Sequence, residues 1–197
     1  MTQIYVVTED ALSEAVVEKI VEFIDNNLEI GVRMRNQGSG YLRQKLPQLI
    51  KLAESIPVLM LTDLDRVECA PTLRDQWFAK SSIVPKNLLF RVAVREVEAW
   101  LLADQEAFSA FARVPAPQVP DRPDELDDPK QTLLNLVRRY AKRDIKDAVL
   151  PRPGTKSPEG IAYNPALVKY VKEIWEPERA AQCSDSLARV MPRLRSL

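Results

Sequence analysis

The chain has 197 residues and a mass of 22.4 kDa, enough to bury about 70% of its unfolded surface as one large domain or a domain with an appendage. Hydrophobic residues make up 46% and charged residues 28%, which excludes global disorder, and 28 basic residues balance 28 acidic ones, so attraction to nucleic acid must be local. Histidine is absent, which excludes Ser-His-Asp and Cys-His catalysis, histidine-ligated zinc and a histidine pH switch.

The chain opens with Ile4-Tyr5-Val6-Val7-Thr8, a continuous β-branched and aromatic run that predicts a strand buried on both faces, as in parallel sheets. It ends in Glu9-Asp10. Leu12, Val16, Ile20, Phe23, Ile24 and Leu28 then recur three and four apart, the pattern of an amphipathic helix for which Asp10 is a suitable N-cap. Residues Ile30 to Met34 read as a short second strand, Asn36-Gln37-Gly38-Ser39-Gly40 as a loop, and Tyr41 to Glu54 as a second helix. Val58-Leu59-Met60-Leu61-Thr62 is the third strand, and it runs into Asp63-Leu64-Asp65. A helix is expected around Leu73 to Ala79, a fourth strand from Leu88 to Val94, and a further helix from Glu96-Val97-Glu98-Ala99-Trp100 onward.

Alternating strands and helices imply an α/β fold: a Rossmann-like, mostly parallel sheet flanked by helices. Ligands bind such sheets beyond the carboxyl ends of the strands. Three of the four strands end in acidic residues, namely Glu9, then Asp63 and Asp65, then Glu96 and Glu98, so a carboxylate cluster is expected at one edge.

Composition shifts after Phe111, and ten of the fifteen prolines fall between Pro115 and Pro177. The stretch from Val114 to Pro129 reads as an irregular connector. Helices are expected around Gln131–Tyr140, Pro165–Trp175 and Ser184–Leu194. The division is a core over residues 1–112 and a mostly helical C-terminal extension, 113–197, packed on it. Cys69 and Cys183 form no CxxC pair and suit a reducing compartment. No run reaches the roughly 18 apolar residues of a membrane span, and the N-terminus lacks the features of a signal peptide, so the expectation is a cytoplasmic protein with no membrane partner.

A carboxylate cluster without histidine suits a hard divalent cation, Mg²⁺ or Mn²⁺, held by oxygen ligands. Asp63, Asp65 and Glu9 are the candidate ligands, with Glu9 also placed to act as a general base. Each has a plainer alternative. Asp63 and Asp65 could cap a turn, Glu9 could pair with a basic residue, and Glu98 could be a first-turn glutamate favoured by the helix dipole. Gly38-Ser39-Gly40 could cradle a phosphate, but it lacks the third glycine of a dinucleotide fingerprint and the Gly-Lys-Ser/Thr of a P-loop, so an ordinary turn is the better reading.

The ordered set, with Glu9 after strand one, Asp-x-Asp at Asp63 and Asp65 after strand three, and parallel α/β surroundings, resembles the Toprim fold of topoisomerases, DnaG-type primases, nucleases of the OLD class and RecR-type repair proteins. Residues 6–16, Gly38-Ser39-Gly40-Tyr41-Leu42, Leu61-Thr62-Asp63-Leu64-Asp65 and the segment from Val94 to Asp104 look more narrowly like small stand-alone bacterial Toprim-like proteins associated with ATPases of the ABC or AAA type and with phage defence. Asp128-Pro129-Lys130 and Gly160-Ile161-Ala162-Tyr163-Asn164 are similar to that group's C-terminal half. Where many Toprim proteins follow the first Glu with Gly, this chain has Asp10. The resemblance implies Glu9 as general acid/base or metal ligand, Asp63 and Asp65 as metal ligands, Glu98 as a further ligand, and Glu96 as a weaker candidate.

Between Lys130 and Lys156 eight basic residues face two acidic ones. Of these, Lys130, Arg138, Arg139, Lys142, Arg143 and Lys156 are the candidates for tracking a phosphate backbone, the alternative being a solvated helix face that binds a partner. The functional expectation is a Mg²⁺-dependent nuclease or phosphoryl-transfer protein acting on DNA or RNA, an effector of phage defence. The alternatives are a catalytically silent subunit regulated by an ABC/AAA-type ATPase, and a small-molecule phosphatase or nucleotidyl enzyme, for which no base-pocket signature is visible.

Overall fold

The computed structural model describes residues 2–24, 27–35, 38–79 and 83–197. Asn36 and Gln37, within the expected glycine-rich loop, lie outside the described residues.

Four strands, β1 (Thr2–Thr8), β2 (Leu28–Arg35), β3 (Val58–Asp63) and β4 (Leu88–Ala93), form one all-parallel sheet in the order β2-β1-β3-β4. The strand order reverses beside β1: the chain steps outward to β2, then crosses back so that β3 lies on the other side of β1. In open parallel sheets a crevice opens at that switch point, outside the carboxyl ends. Here it falls between the ends of β1 and β3, where Glu9 and Asp63 sit.

Parity along the strands explains the two layers. Ile4, Val6, Leu59, Leu61, Leu89 and Ala93 face one way and join the larger core, while Val7, Val58, Met60 and Leu88 face the other. The second face is covered by α2 (Ser39–Leu52) and α3 (Ala70–Phe78), through Leu42, Leu46, Leu49, Leu73 and Trp77. The first face is covered by α1 (Ala11–Ile24), which Asp10 caps by accepting from Ser13 N–H at 2.8 Å. It is covered too by α4 (Val97–Ala103), which is buried at all seven positions.

Behind α1 and α4 pack α5 (Gln105–Ala112), α6 (Pro129–Tyr140), α7 (Arg143–Val149), α8 (Tyr163–Glu173), α9 (Pro177–Ala181), α10 (Asp185–Ala188) and α11 (Met191–Arg195). One apolar core runs from β1 to Leu194, so the extension and the sheet share their interior. Trp175 Nε1 donates to the Trp100 carbonyl at 2.9 Å and the Tyr170 hydroxyl to that of Leu101 at 3.0 Å, tying α4 to the C-terminal helices. Asp104 caps α5 and accepts from Nε and Nη2 of Arg179, each at 2.9 Å.

Two expectations change. The single helix from Ser184 to Leu194 is two short ones, α10 and α11, because Pro192 has no N–H to continue the ladder. The second strand is longer than Ile30–Met34 and forms a sheet edge with a register shift opposite Ile4/Tyr5. It opens at Leu28, which the helical spacing grouped with the first helix although that helix ends at Ile24.

Candidate functional site

The site is built at the carboxyl ends of β1, β3 and β4. Glu9 leaves β1 half-buried and reaches sideways to β3: its Oε1 accepts a short hydrogen bond from the Thr62 hydroxyl and one of 3.1 Å from Asp63 N–H. Thr62 is buried and points its hydroxyl at Glu9 because the strand there must satisfy its last inward polar group. Asp63 turns toward the fourth strand's exit and accepts from Val97 N–H through Oδ1 at 2.9 Å, which gives α4 a partner for a first-turn donor. Glu9 and Asp63 are thus fixed side by side, each through one oxygen.

Asp65 is exposed and takes a left-handed conformation, φ 51°, with its N–H bonded to the Arg95 carbonyl. Glu98 is 5% exposed, and its Oε1 accepts from the Tyr163 hydroxyl at 2.7 Å. Glu96, at the entry to α4, accepts from Lys130 N–H at 3.1 Å.

These carboxyl groups stand within electrostatic reach of one another. Burial, then the charges of Glu98, Glu9, Asp10 and Asp65, push the Asp63 carboxyl well above its usual range. Burial also raises Glu9; Asp65 and Asp10 add to it, and the bonds from Thr62 and Asp63 only partly pull it back. Burial lifts Glu98 to about 7 despite the Tyr163 bond. Glu96 rises for the same first reason, with Asp128 and Asp65 contributing. Every charge acting on Asp63 is negative, and among the described residues no ion pair reaches Glu9, Asp63 or Asp65. Around Glu9, Asp63 and Asp65 the local negative charge is therefore without a paired cation among the described residues, whereas Glu96 and Glu98 feel the charge of Lys130.

An all-oxygen donor set with uncompensated charge fits a hard cation in its chemistry. As the side chains stand, no three His, Cys, Asp or Glu among the described residues converge to hold a metal ion. Asp65 looks outward, and Glu98 is held by Tyr163.

The basic candidates do not gather at this edge as a group. Lys130, at the start of α6, is drawn into the acidic network: it pairs with Glu159 and lies over the Tyr163 ring at 4.8 Å from the centroid. Burial works against its charge, but Glu159, Glu98 and Glu96 outweigh it and raise its pKa. Arg138 and Arg139 occupy the last turn of α6, about 12 Å further along the axis at 1.5 Å per residue. Arg138 donates to Asn135, and Arg139 lies over Tyr140. Lys142 is exposed, Arg143 is exposed beside Asp147 at 3.6 Å, and Lys156 is exposed in the loop before α8. Sequence reasoning missed the pairing of Tyr163 with Glu98; a lone tyrosine 65 positions from its partner carries no local signal.

Among the described residues no helix is long and apolar enough to cross a membrane. Residues 7–167 match the family described as Domain of unknown function (DUF4276), and the chain belongs to that family. No curated protein and no solved structure matches it.

Proposed function

We propose that this member of the family is a Mg²⁺- or Mn²⁺-dependent, Toprim-like nuclease or phosphoryl-transfer protein that acts on nucleic-acid phosphodiesters in the cytoplasm, as the effector of a phage-defence system. The observation that carries this reading is Glu9 bonded to Thr62 and Asp63 at the switch point of a parallel sheet, where among the described residues no ion pair reaches Glu9, Asp63 or Asp65. Glu9 and Asp63 would hold the cation, with Asp65 and Glu98 completing the set. When bound, the cation supplies charge neutralisation at the phosphoryl oxygens.

The chain's own groups do the rest. Glu9, with a raised pKa and an orientation set by Thr62, is suited to take a proton from an attacking water and return it to the leaving oxygen. The Val97 N–H keeps Asp63 from swinging away. Lys130 over Tyr163 brings positive charge to the rim of the site, where a phosphate would arrive.

The test is a nicking assay on plasmid DNA, with an RNA substrate alongside, using purified full-length chain and Mg²⁺ or Mn²⁺. Cleavage is expected, Asp63→Asn should abolish it, and Glu9→Gln should slow it about 10²–10⁴-fold. Cleavage that survives Asp63→Asn overturns the assignment.

A second reading is favoured by one observation: among the described residues no three carboxylates converge to hold an ion. In it the chain is a silent subunit that an ABC/AAA-type ATPase binds and regulates, the partner re-aiming Asp65 and Glu98. Co-purification with an ATPase in fixed ratio, and cleavage only in the complex, would distinguish it.

A further inference from the structure

A cleft of about 820 Å³ lies along the outer edge of β4, between α3 on one side and the turn joining α10 to α11 on the other. Its floor is apolar, made by Leu64, Phe90, Val92 and Val94. Phe90 is itself steadied by Trp77 and Phe78, with ring centroids 5.3 and 5.2 Å away. The size and the mainly apolar floor are those of a small-molecule site. Its polar equipment is arginine: Arg74 from α3, Arg91 from β4, Arg95 from the loop after it, and Arg189 from the end of α10.

Arg91 is the unusual member. It occupies the row of β4 whose neighbours Leu89 and Ala93 belong to the larger core, and it is half-buried. Its Nε is enclosed without an acceptor, and Nη1 reaches only its own strand's Phe90 carbonyl at 3.3 Å. Burial and then the like charge of Arg193 lower its pKa, and among the described residues no ion pair reaches it. The carboxylates lining the cleft are engaged or peripheral. Asp124 accepts from the Ser184 hydroxyl and Ser186 N–H, and Glu125 pairs with Arg122. Glu68, Asp75 and Asp185 are exposed. A half-buried guanidinium whose Nε is enclosed without an acceptor, beside another cation and with no ion pair among the described residues, has room for a negative partner.

We propose that the β4-edge cleft binds a small phosphate ester with an apolar body, a mononucleotide in chemical class, its phosphate held by Arg91 with Arg189 on the α10–α11 side of the edge and its base lying across the edge on Phe90, Val92 and Val94. The carboxylates around it argue against a polyanion: a nucleic-acid strand would bring phosphates against Glu68, Asp75 and Asp185 as well as against the arginines. The cleft adjoins the carboxylate edge at Leu64 and Arg95, but the binding proposed uses none of the candidate metal ligands and does not depend on the metal chemistry proposed there.

The experiment is equilibrium binding to the full chain in EDTA, by calorimetry and thermal shift, with AMP, ATP, pyrophosphate and a ten-nucleotide oligothymidylate as probes. AMP or ATP should bind and raise Tm, pyrophosphate should bind more weakly, and the oligonucleotide should not compete. Arg91→Met should weaken nucleotide binding about tenfold or more while raising the Tm of the free protein, since it removes an uncompensated half-buried charge. Arg189→Gln, at an exposed position, should weaken binding with Tm unchanged. No nucleotide binding at millimolar concentration, or binding untouched by both variants, overturns the proposal. So does a fall in Tm or aggregation of Arg91→Met, which would make Arg91 a guard of the sheet edge. Competition by the oligonucleotide would reassign the cleft to a strand.

Discussion

Tyr163 and Glu98, 65 positions apart, are joined by a buried hydrogen bond of 2.7 Å in which the tyrosine donates. Because Glu98 titrates near 7 in the fold and near 4.5 when solvated, the native protein retains a proton that the unfolded chain releases between those values. Native protein binding more protons means that stability falls as pH rises through that window. Glu98→Gln keeps an acceptor for Tyr163 and removes the charge. It should match wild type at pH 4.5 and exceed it at pH 8 by on the order of 3 kcal/mol. Urea midpoints measured from pH 4 to 8 in EDTA check this; parallel profiles for the two proteins would refute it.

Thr62 tunes Glu9. Its hydroxyl bond is the largest influence lowering the Glu9 pKa, so Thr62→Val should drive that carboxyl still higher. If Glu9 must be ionised for cleavage, the acidic limb of the pH–rate profile moves to higher pH. Each unit of that shift costs tenfold in rate on the limb, with the plateau changed less. A profile that drops uniformly at all pH values would point to lost geometry instead.

Asp104 is buried, with four hydrogen bonds from Ala107 N–H, Glu176 N–H and the Arg179 guanidinium. Asp104→Ala removes a helix cap and the anchor that fixes α9 against α4. The expected loss is about 3–5 kcal/mol, read from the denaturant midpoint. A loss below about 1 kcal/mol would mean that the pair is only peripheral to stability.

Gly160 sits where the loop before α8 presses on the end of α7. A Cβ there would lie 2.3 Å from the Ala148 carbonyl oxygen and 2.7 Å from that of Leu150. Gly160→Ala must displace backbone that Gly160 N–H itself holds through the Val149 carbonyl, and should destabilise by about 1–3 kcal/mol. Since α8 carries Tyr163, the variant should also disturb Glu98, visible as a shift in its titration by NMR.

Much of the sheet was readable because β1 and β3 are continuous apolar runs that stop at acidic residues, and a strand buried on both faces leaves that mark. The capping role of Asp10 followed from its place before the first apolar-periodic residue. β2 was shortened in the reading because an edge strand with exposed Gly31 and Arg33 lacks that pattern. Lys130 was counted with its basic neighbours because charge density along a sequence is blind to direction, whereas the start of α6 aims it at Glu159 and Tyr163. The interruption by Pro192 is legible in the sequence from its missing donor, which apolar periodicity alone does not register. Arg91 could not have been singled out, since one arginine in a strand reads as a surface residue until the helices above it are placed.

The shared interior has a consequence for how the molecule is made. When residue 112 leaves the ribosome, α4 already carries Trp100, Leu101 and Leu102, each wholly enclosed in the finished protein, yet Tyr170, Trp175 and Leu187, which wall them in, have not been synthesised. Until then the nascent first half carries an apolar flank without its partners, and Glu98 at the carboxylate mouth lacks the Tyr163 hydroxyl that holds it in the finished protein.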